Sequence, residues 1–169
     1  VDGKKLGKSA HADLDCAMCH EGLDPANIPH ARKIKAADCT TCHADEKFMG
    51  VGASVHGTVA GGNAVRACID CHGSHAVQKV TSKDGPHRKE FAVNSCGRCH
   101  GDVQEHYMKS DHGAALAAGV KDAPTCIDCH GEHATTMAQA EGSQTSHGRE
   151  AAMCLGCHLD NADVRARVG

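Results

Sequence analysis

Cys68-Ile69-Asp70-Cys71-His72-Gly73-Ser74-His75-Ala76 and Cys126-Ile127-Asp128-Cys129-His130-Gly131-Glu132-His133-Ala134 are near copies of one segment, and their reading decides the fold. The Cys-x-x-Cys-His unit inside them recurs as Cys16-Ala-Met-Cys19-His20, Cys39-Thr-Thr-Cys42-His43, Cys96-Gly-Arg-Cys99-His100 and Cys154-Leu-Gly-Cys157-His158. Six copies consume all 12 cysteines of the 169-residue chain. This spacing is the attachment signature of c-type haem: two thioethers anchor the porphyrin, and the adjoining histidine reaches the iron from the proximal side. The two-residue spacer puts both sulfurs on one helical turn, facing one porphyrin edge. Paired cysteines also build zinc ribbons and redox disulfides, but neither needs histidine directly after the second cysteine. Histidine fills 15 of 169 positions, so six chance placements have a probability of roughly 5 × 10⁻⁷.

The composition asks for such a cofactor. There are two Phe, one Tyr and no Trp, and the 40% hydrophobic fraction is mostly Ala, Val and Cys. Large aromatic and branched side chains normally supply most buried apolar area, so these side chains are too small to fill a core by themselves. With about 28 residues for each of six haems, the porphyrins must pack against one another and form the interior. Other classes fall away. The formal charge of −3 carries no basic excess, so no nucleic-acid partner is expected. No apolar run approaches the roughly 18–20 residues that span a bilayer. The numbering starts at Val1 without a charged and apolar leader, which fits a processed, exported chain.

Beyond the proximal His20, His43, His72, His100, His130 and His158, nine histidines remain: His11, His30, His56, His75, His87, His106, His112, His133 and His147. They exceed the six distal positions that six irons offer. Internal repetition narrows the choice. Ser54-Val-His56-Gly precedes one motif pair and Ser110-Asp-His112-Gly the next, while Ser9-Ala-His11 stands before Cys16. Three dihaem modules follow, 1–49, 50–107 and 108–169. His75 and His133 lie three residues past a proximal histidine, so they reach a neighbouring haem rather than the far face of their own. His30, His87 and His147 precede Cys39, Cys96 and Cys154 by seven to nine residues. Two ligand sets therefore compete, His75 and His133 or His87 and His147, with the first preferred. His30 is the substitute in the first module, and His106 is expected on the surface. Met18, Met49, Met108, Met137 and Met153 show no repeated position, so bis-histidine, low-spin, low-potential haems are expected over methionine ligation.

The order His11…Cys16-x-x-Cys19-His20…Pro29-His30…Cys39-x-x-Cys42-His43, followed twice by Ser-x-His-Gly…Cys-x-x-Cys-His-Gly-x-His…Cys-x-x-Cys-His, resembles the bacterial and archaeal multihaem c-type cytochromes with paired motifs. The resemblance covers nearly the whole chain. It implies a respiratory electron carrier outside the cytoplasm, periplasmic or extracellular, with bis-histidine haems in stacked and T-shaped pairs. It also implies distal roles for His56, His75, His112 and His133. The first module departs from the pattern by lacking His-Gly-x-His, which leaves His11 and His30 for its haems. Partners implied are redox proteins, a quinol-oxidising membrane cytochrome or a terminal acceptor. Relatives of this kind also assemble into extracellular filaments, so a homopolymer joined through haem–haem contacts is the alternative.

Strand signals are nearly absent. The expected fold is a multihaem cytochrome c with little regular secondary structure: short helices, the best at about 102–118 and 149–158, and coil wrapped around six covalent haems. Glycine-rich connections such as 57–62 let the backbone approach haem faces. Ionised propionates bring the haem-loaded charge to roughly −9 oxidised and −15 reduced. Reduction is then expected to take up protons, and a partner is expected to present a basic face. Electron transfer is the leading function. A multihaem reductase would need an iron with an open position, and neither a Cys-x-x-Cys-Lys variant nor a shortage of histidines marks one.

Overall fold

A computed structural model of the chain describes residues 1–31, 33–86 and 88–168. Short polar side chains start its helices. Asp2 caps α1 (Gly3–Leu6), Ser54 caps α4 (Val55–Val59), Asn63 caps α5 (Ala64–His72) and Ser110 caps α8 (Asp111–Ala117), each accepting from a backbone N–H of the first turn. The remaining helices are α2 (Cys16–Cys19), α3 (Glu46–Met49), α6 (Lys89–Gly97), α7 (Gly101–Lys109), α9 (Cys126–His130), α10 (Glu150–His158) and α11 (Ala162–Val168). Single 3₁₀ turns cover Cys39–Thr41 and Gly50–Ala53. No strand occurs among the described residues. The architecture is thus short helices and coil, as the residue pattern leads one to expect.

The expected helix over 102–118 is two helices, α7 and α8. Ser110, extended at φ −81° and ψ 165°, ends the first and caps the second. Its hydroxyl donates to the Tyr107 carbonyl at 2.7 Å and accepts from the Gly113 N–H at 3.2 Å, a local alternative to continuing the helix. Ser54 does the same before α4, donating to Val51 O at 2.7 Å and accepting from Gly57 N–H at 3.1 Å. The stretch 57–62 is only partly a loop, because α4 runs to Val59 before Gly61 and Gly62 take positive φ.

The chain divides into two compact units, Val1–His87 and Arg88–Gly169. In the first, the buried positions include Ser9, Ser54 and Ala67, and a backbone bond from Ala10 N–H to Val77 O (2.8 Å) ties the N-terminal segment to the loop after α5. In the second, Val93 of α6, Leu116 of α8 and Ala123 form a small apolar cluster, joined by Tyr107, Ala115, Val120 and Cys126. The Tyr107 hydroxyl donates to Pro124 O at 2.7 Å. Arg167 of α11 holds Asp122 through both guanidinium nitrogens, one of them at 2.7 Å. That ion pair pulls the Asp122 carboxyl down to about 2.

Side chains alone do not make an interior here. Among the described residues, five apolar ones are buried, three of them alanines, and no large side chain is fully enclosed. The chain exposes 12144 Å², against about 7,900 Å² for a compact protein of its mass.

Candidate haem sites

Each Cys-x-x-Cys-His segment closes on one helical turn. The N–H groups of His20, His43 and His100 bond the carbonyls of Cys16, Cys39 and Cys96 at 2.9 Å each. The other three motifs lie within α5, α9 and α10. One turn brings residues three apart onto one face, so the two sulfurs of a motif look the same way. All twelve cysteines are free thiols, and seven of them are exposed. The twelve are Cys16, Cys19, Cys39, Cys42, Cys68, Cys71, Cys96, Cys99, Cys126, Cys129, Cys154 and Cys157. Neighbouring motifs approach one another within each unit. A hydrogen bond from Cys96 draws the Cys126 thiol down to about 7. Burial, with Cys39 alongside, pushes the Cys68 thiol up. In both units the first cysteine of one motif meets the first cysteine of the next.

Local sequence explains how the chain enters and leaves these turns. In the fifth motif the Asp128 carboxylate accepts from the Thr125 N–H at 2.7 Å and from its hydroxyl at 3.0 Å, fixing the start of α9. Lys89 stands 3.8 Å from the same carboxylate. After the proximal histidine, Gly73 and Gly131 adopt φ of 75° and 74° with ψ near 180°. Only glycine visits that region freely. The helix stops there, and His75 and His133 are carried away from the motif they follow.

Pairs of histidine rings that face one another among the described residues include the following. His20 and His75 have centroids 6.0 Å apart with planes at 29°. His11 and His43 stand at 6.0 Å and 53°, and His112 and His158 at 5.9 Å and 31°. With metal–nitrogen bonds of about 2.0–2.1 Å and a nitrogen about 1.1 Å from its ring centre, two imidazoles on one ion have centroids roughly 6.2–6.4 Å apart. The three centroid spacings are close to that value, and each pair joins one motif histidine to one outside a motif. The thiols, the ring spacing and the sparse apolar interior together suit covalently held haem. The His20 Nδ1 bonds the Lys35 carbonyl at 2.9 Å. Because a carbonyl only accepts, Nδ1 carries the proton, which leaves Nε2 as the nitrogen free to bind a metal.

The other motif and candidate histidines lie on several elements. His56 is on α4 beside Gly57 and His72 ends α5, while His100 and His130 lie in the fourth and fifth motifs. His133 is one-quarter exposed, with Nδ1 3.6 Å from the Glu132 carboxylate. His30 is exposed on the loop between Glu21 and Lys35, whose ends are joined by an ion pair. His147 is fully exposed, 3.8 Å from Glu150. His106 is exposed on α7. His87 lies outside the described residues. Sequence reasoning missed Phe48, whose ring meets His43 edge-on with centroids 5.6 Å apart. Its place five residues after a proximal histidine was the available signal.

The Ser-x-His-Gly repeat acquires a physical reason. A Cβ on Gly113 would lie 2.1 Å from Tyr107 O, and one on Gly57 would lie 2.2 Å from Val51 O. These are the carbonyls that Ser110 and Ser54 bond. Serine and glycine thus grip one carbonyl from two sides and fix the turn that carries the histidine between them.

Comparison with known proteins agrees with this chemistry. Multiheme cytochrome MtrA of Shewanella baltica (strain OS185) is 27% identical over 167 residues, covering 90% of this chain and 44% of that relative. The chain thus spans less than half the length of the relative. No solved structure matches. No helix among the described residues is long and apolar enough to cross a membrane. The family model described as the class III cytochrome c family matches residues 4–100, more than half of the chain and four of its motifs, and the chain belongs to that family of multihaem c-type cytochromes.

Proposed function

We propose that the chain holds six c-type haems, one per motif, and passes electrons along them at low potential, outside the cytoplasm. The observation that carries this is the trio of facing histidine rings at single-iron spacing. When bound, haem supplies a one-electron Fe(III)/Fe(II) couple. The twelve cysteines anchor it. His20, His43, His72, His100, His130 and His158 are the proximal ligands. His75 is the distal ligand opposite His20, His11 opposite His43, and His112 opposite His158. His56 and His133 fill further distal positions, with His30 and His147 as the remaining candidates.

Two imidazoles on every iron leave no coordination position for substrate, which favours a carrier over a reductase. They also favour the ferric state and hence low potential. The cysteine contacts between neighbouring motifs (Cys39 with Cys68, Cys96 with Cys126) support close porphyrin edges and rapid transfer from haem to haem. Loaded with haem propionates, the chain is strongly acidic, so its donor and acceptor are redox proteins with basic docking faces. Three dihaem modules, 1–49, 50–107 and 108–169, follow the sequence repeats, and the cysteine contacts link each module to the next.

The test uses the holoprotein. Intact mass should exceed the polypeptide mass by six haems, and the ferric EPR spectrum should be entirely low-spin. His75→Gly should convert one haem to high-spin, reversibly on adding imidazole. Fewer than six additions, or a high-spin haem in the unmutated protein, defeats the proposal.

A further inference from the structure

Phe48 is one of only three aromatic residues in the chain, and it stands against a proximal histidine. Its ring and that of His43 are at 89°, edge to face, with centroids 5.6 Å apart. The Lys47 ammonium lies 4.7 Å from the Phe48 centroid. Phe48 is only half-buried, so it does little as core. Its backbone is pinned, since the N–H groups of Phe48 and Met49 both bond the Asp45 carbonyl, at 2.9 and 3.1 Å. An edge-to-face contact has a preferred geometry, because the positive ring edge seeks the negative face, and the lysine charge over the ring strengthens its attachment to α3. A phenyl ring held on a short helix therefore resists rotation of the imidazole it touches.

The plane of that imidazole differs from the others. His43 and His11 are inclined at 53°, whereas the His20–His75 and His112–His158 planes are inclined at 29° and 31°. Near-parallel imidazoles draw on the same iron dπ orbital and split the two dπ levels widely. Inclined planes draw on both orbitals and leave the levels closer together. The inclination is read directly by the largest g value of the low-spin ferric ion, which grows as the planes cross.

We infer that Phe48 is a positioning residue for the second haem: it sets the plane of His43 and so makes this haem spectroscopically and electrochemically distinct from those held by the near-parallel pairs. The inference rests on the proposal that His11 and His43 share one iron. It adds that one of the three facing pairs is set apart from the other two by a residue outside the Cys-x-x-Cys-His motifs.

The experiment compares the holoprotein with Phe48→Leu and Phe48→Tyr by low-temperature EPR and by optical redox titration. The unmutated protein should show one component at lower field than the near-parallel group. Phe48→Leu should move that component, and it alone, toward the group, with one haem's midpoint potential shifting and all haems staying low-spin. Phe48→Tyr, which keeps the ring edge, should retain the original spectrum. A Phe48→Leu spectrum that superimposes on the unmutated one overturns the inference. So does a new high-spin signal in Phe48→Leu, since the ring would then hold the ligand on rather than orient it. Failure of the underlying ligand assignment is recognised separately. In that case His11→Gly gives no imidazole-reversible high-spin haem, whatever Phe48 does.

Discussion

Replacing Gly113 by alanine should damage a haem without touching a ligand. In an open helix the change would stabilise by up to about 1 kcal/mol, because alanine loses less backbone freedom on folding. Here the new Cβ would sit 2.1 Å from Tyr107 O, 2.6 Å from Met108 Cα and 2.9 Å from Tyr107 C. All three contacts are backbone, so no rotamer relieves them. Restoring ordinary contact requires α8 to retreat by about 1 Å, and overpacking of this kind costs about 1–3 kcal/mol. Taking a cost of about 2 kcal/mol against a gain of about 1, the net loss is about 1 kcal/mol, or roughly 2–4 °C in the unfolding midpoint. The retreat also stretches the Ser110 bonds to Tyr107 O and Gly113 N–H, now 2.7 and 3.2 Å. It carries His112 away from His158, whose ring centroid is 5.9 Å distant. Thermal unfolding of the holoprotein by far-UV circular dichroism, with EPR for spin state, reads both effects. Gly57→Ala should behave alike, since its Cβ would lie 2.2 Å from Val51 O. Gly3→Ala, at the start of α1 with open space around it, should cost nothing and can only stabilise slightly. A Gly113→Ala protein as stable as its parent and wholly low-spin would refute the account of the Ser-x-His-Gly repeat.

Tyr107→Phe removes the hydroxyl that donates to Pro124 O at 2.7 Å; denaturant unfolding of the second unit should show a loss of about 1 kcal/mol. Asp128→Ala strips α9 of the carboxylate that both Thr125 groups bond. The same assay should register about 1 kcal/mol, while Asp128→Glu, one methylene longer, should recover only part of it. The Asp122–Arg167 pair makes a pH prediction. The Asp122 carboxyl is held at about 2, below its usual 3.8, so the folded chain favours the ionised form. The contribution is present above the unfolded value and is lost as pH falls from there through the folded one. Hydrogen exchange of the 162–168 peptide should therefore accelerate between pH 4 and 2, relative to a peptide distant from the pair. Arg167→Ala should already exchange fast at neutral pH and show no such acid step.

The chemistry of the sites was legible because it is local. Attachment needs Cys-x-x-Cys-His and nothing else, so residues within one turn declare it, and the absence of large aromatics announces a non-protein interior. The repeats likewise exposed Ser-x-His-Gly and His-Gly-x-His before any coordinates did. Their mechanics were hidden. That Gly113 and Ser110 share the Tyr107 carbonyl, or that Gly73 must take positive φ, depends on the position of a neighbouring turn. The break at Ser110 was readable in principle, since Ser110 repeats the capping Ser54, but helical propensity on both sides concealed it.

What the amino-acid order determined unaided was the cofactor class, together with the proposed anchors and proximal ligands, all of them residues at most four positions apart within a motif. Which distal histidine meets which motif was left to tertiary structure. His75 reaches His20 across 55 positions, and Ala10 is tied to Val77 by a backbone bond across 67. Spacing in sequence cannot rank such partners, because each of nine spare histidines has the same chemistry. Only the path of the backbone, turned at Gly73 and pinned at Ala10, decides which ring arrives beside which motif histidine.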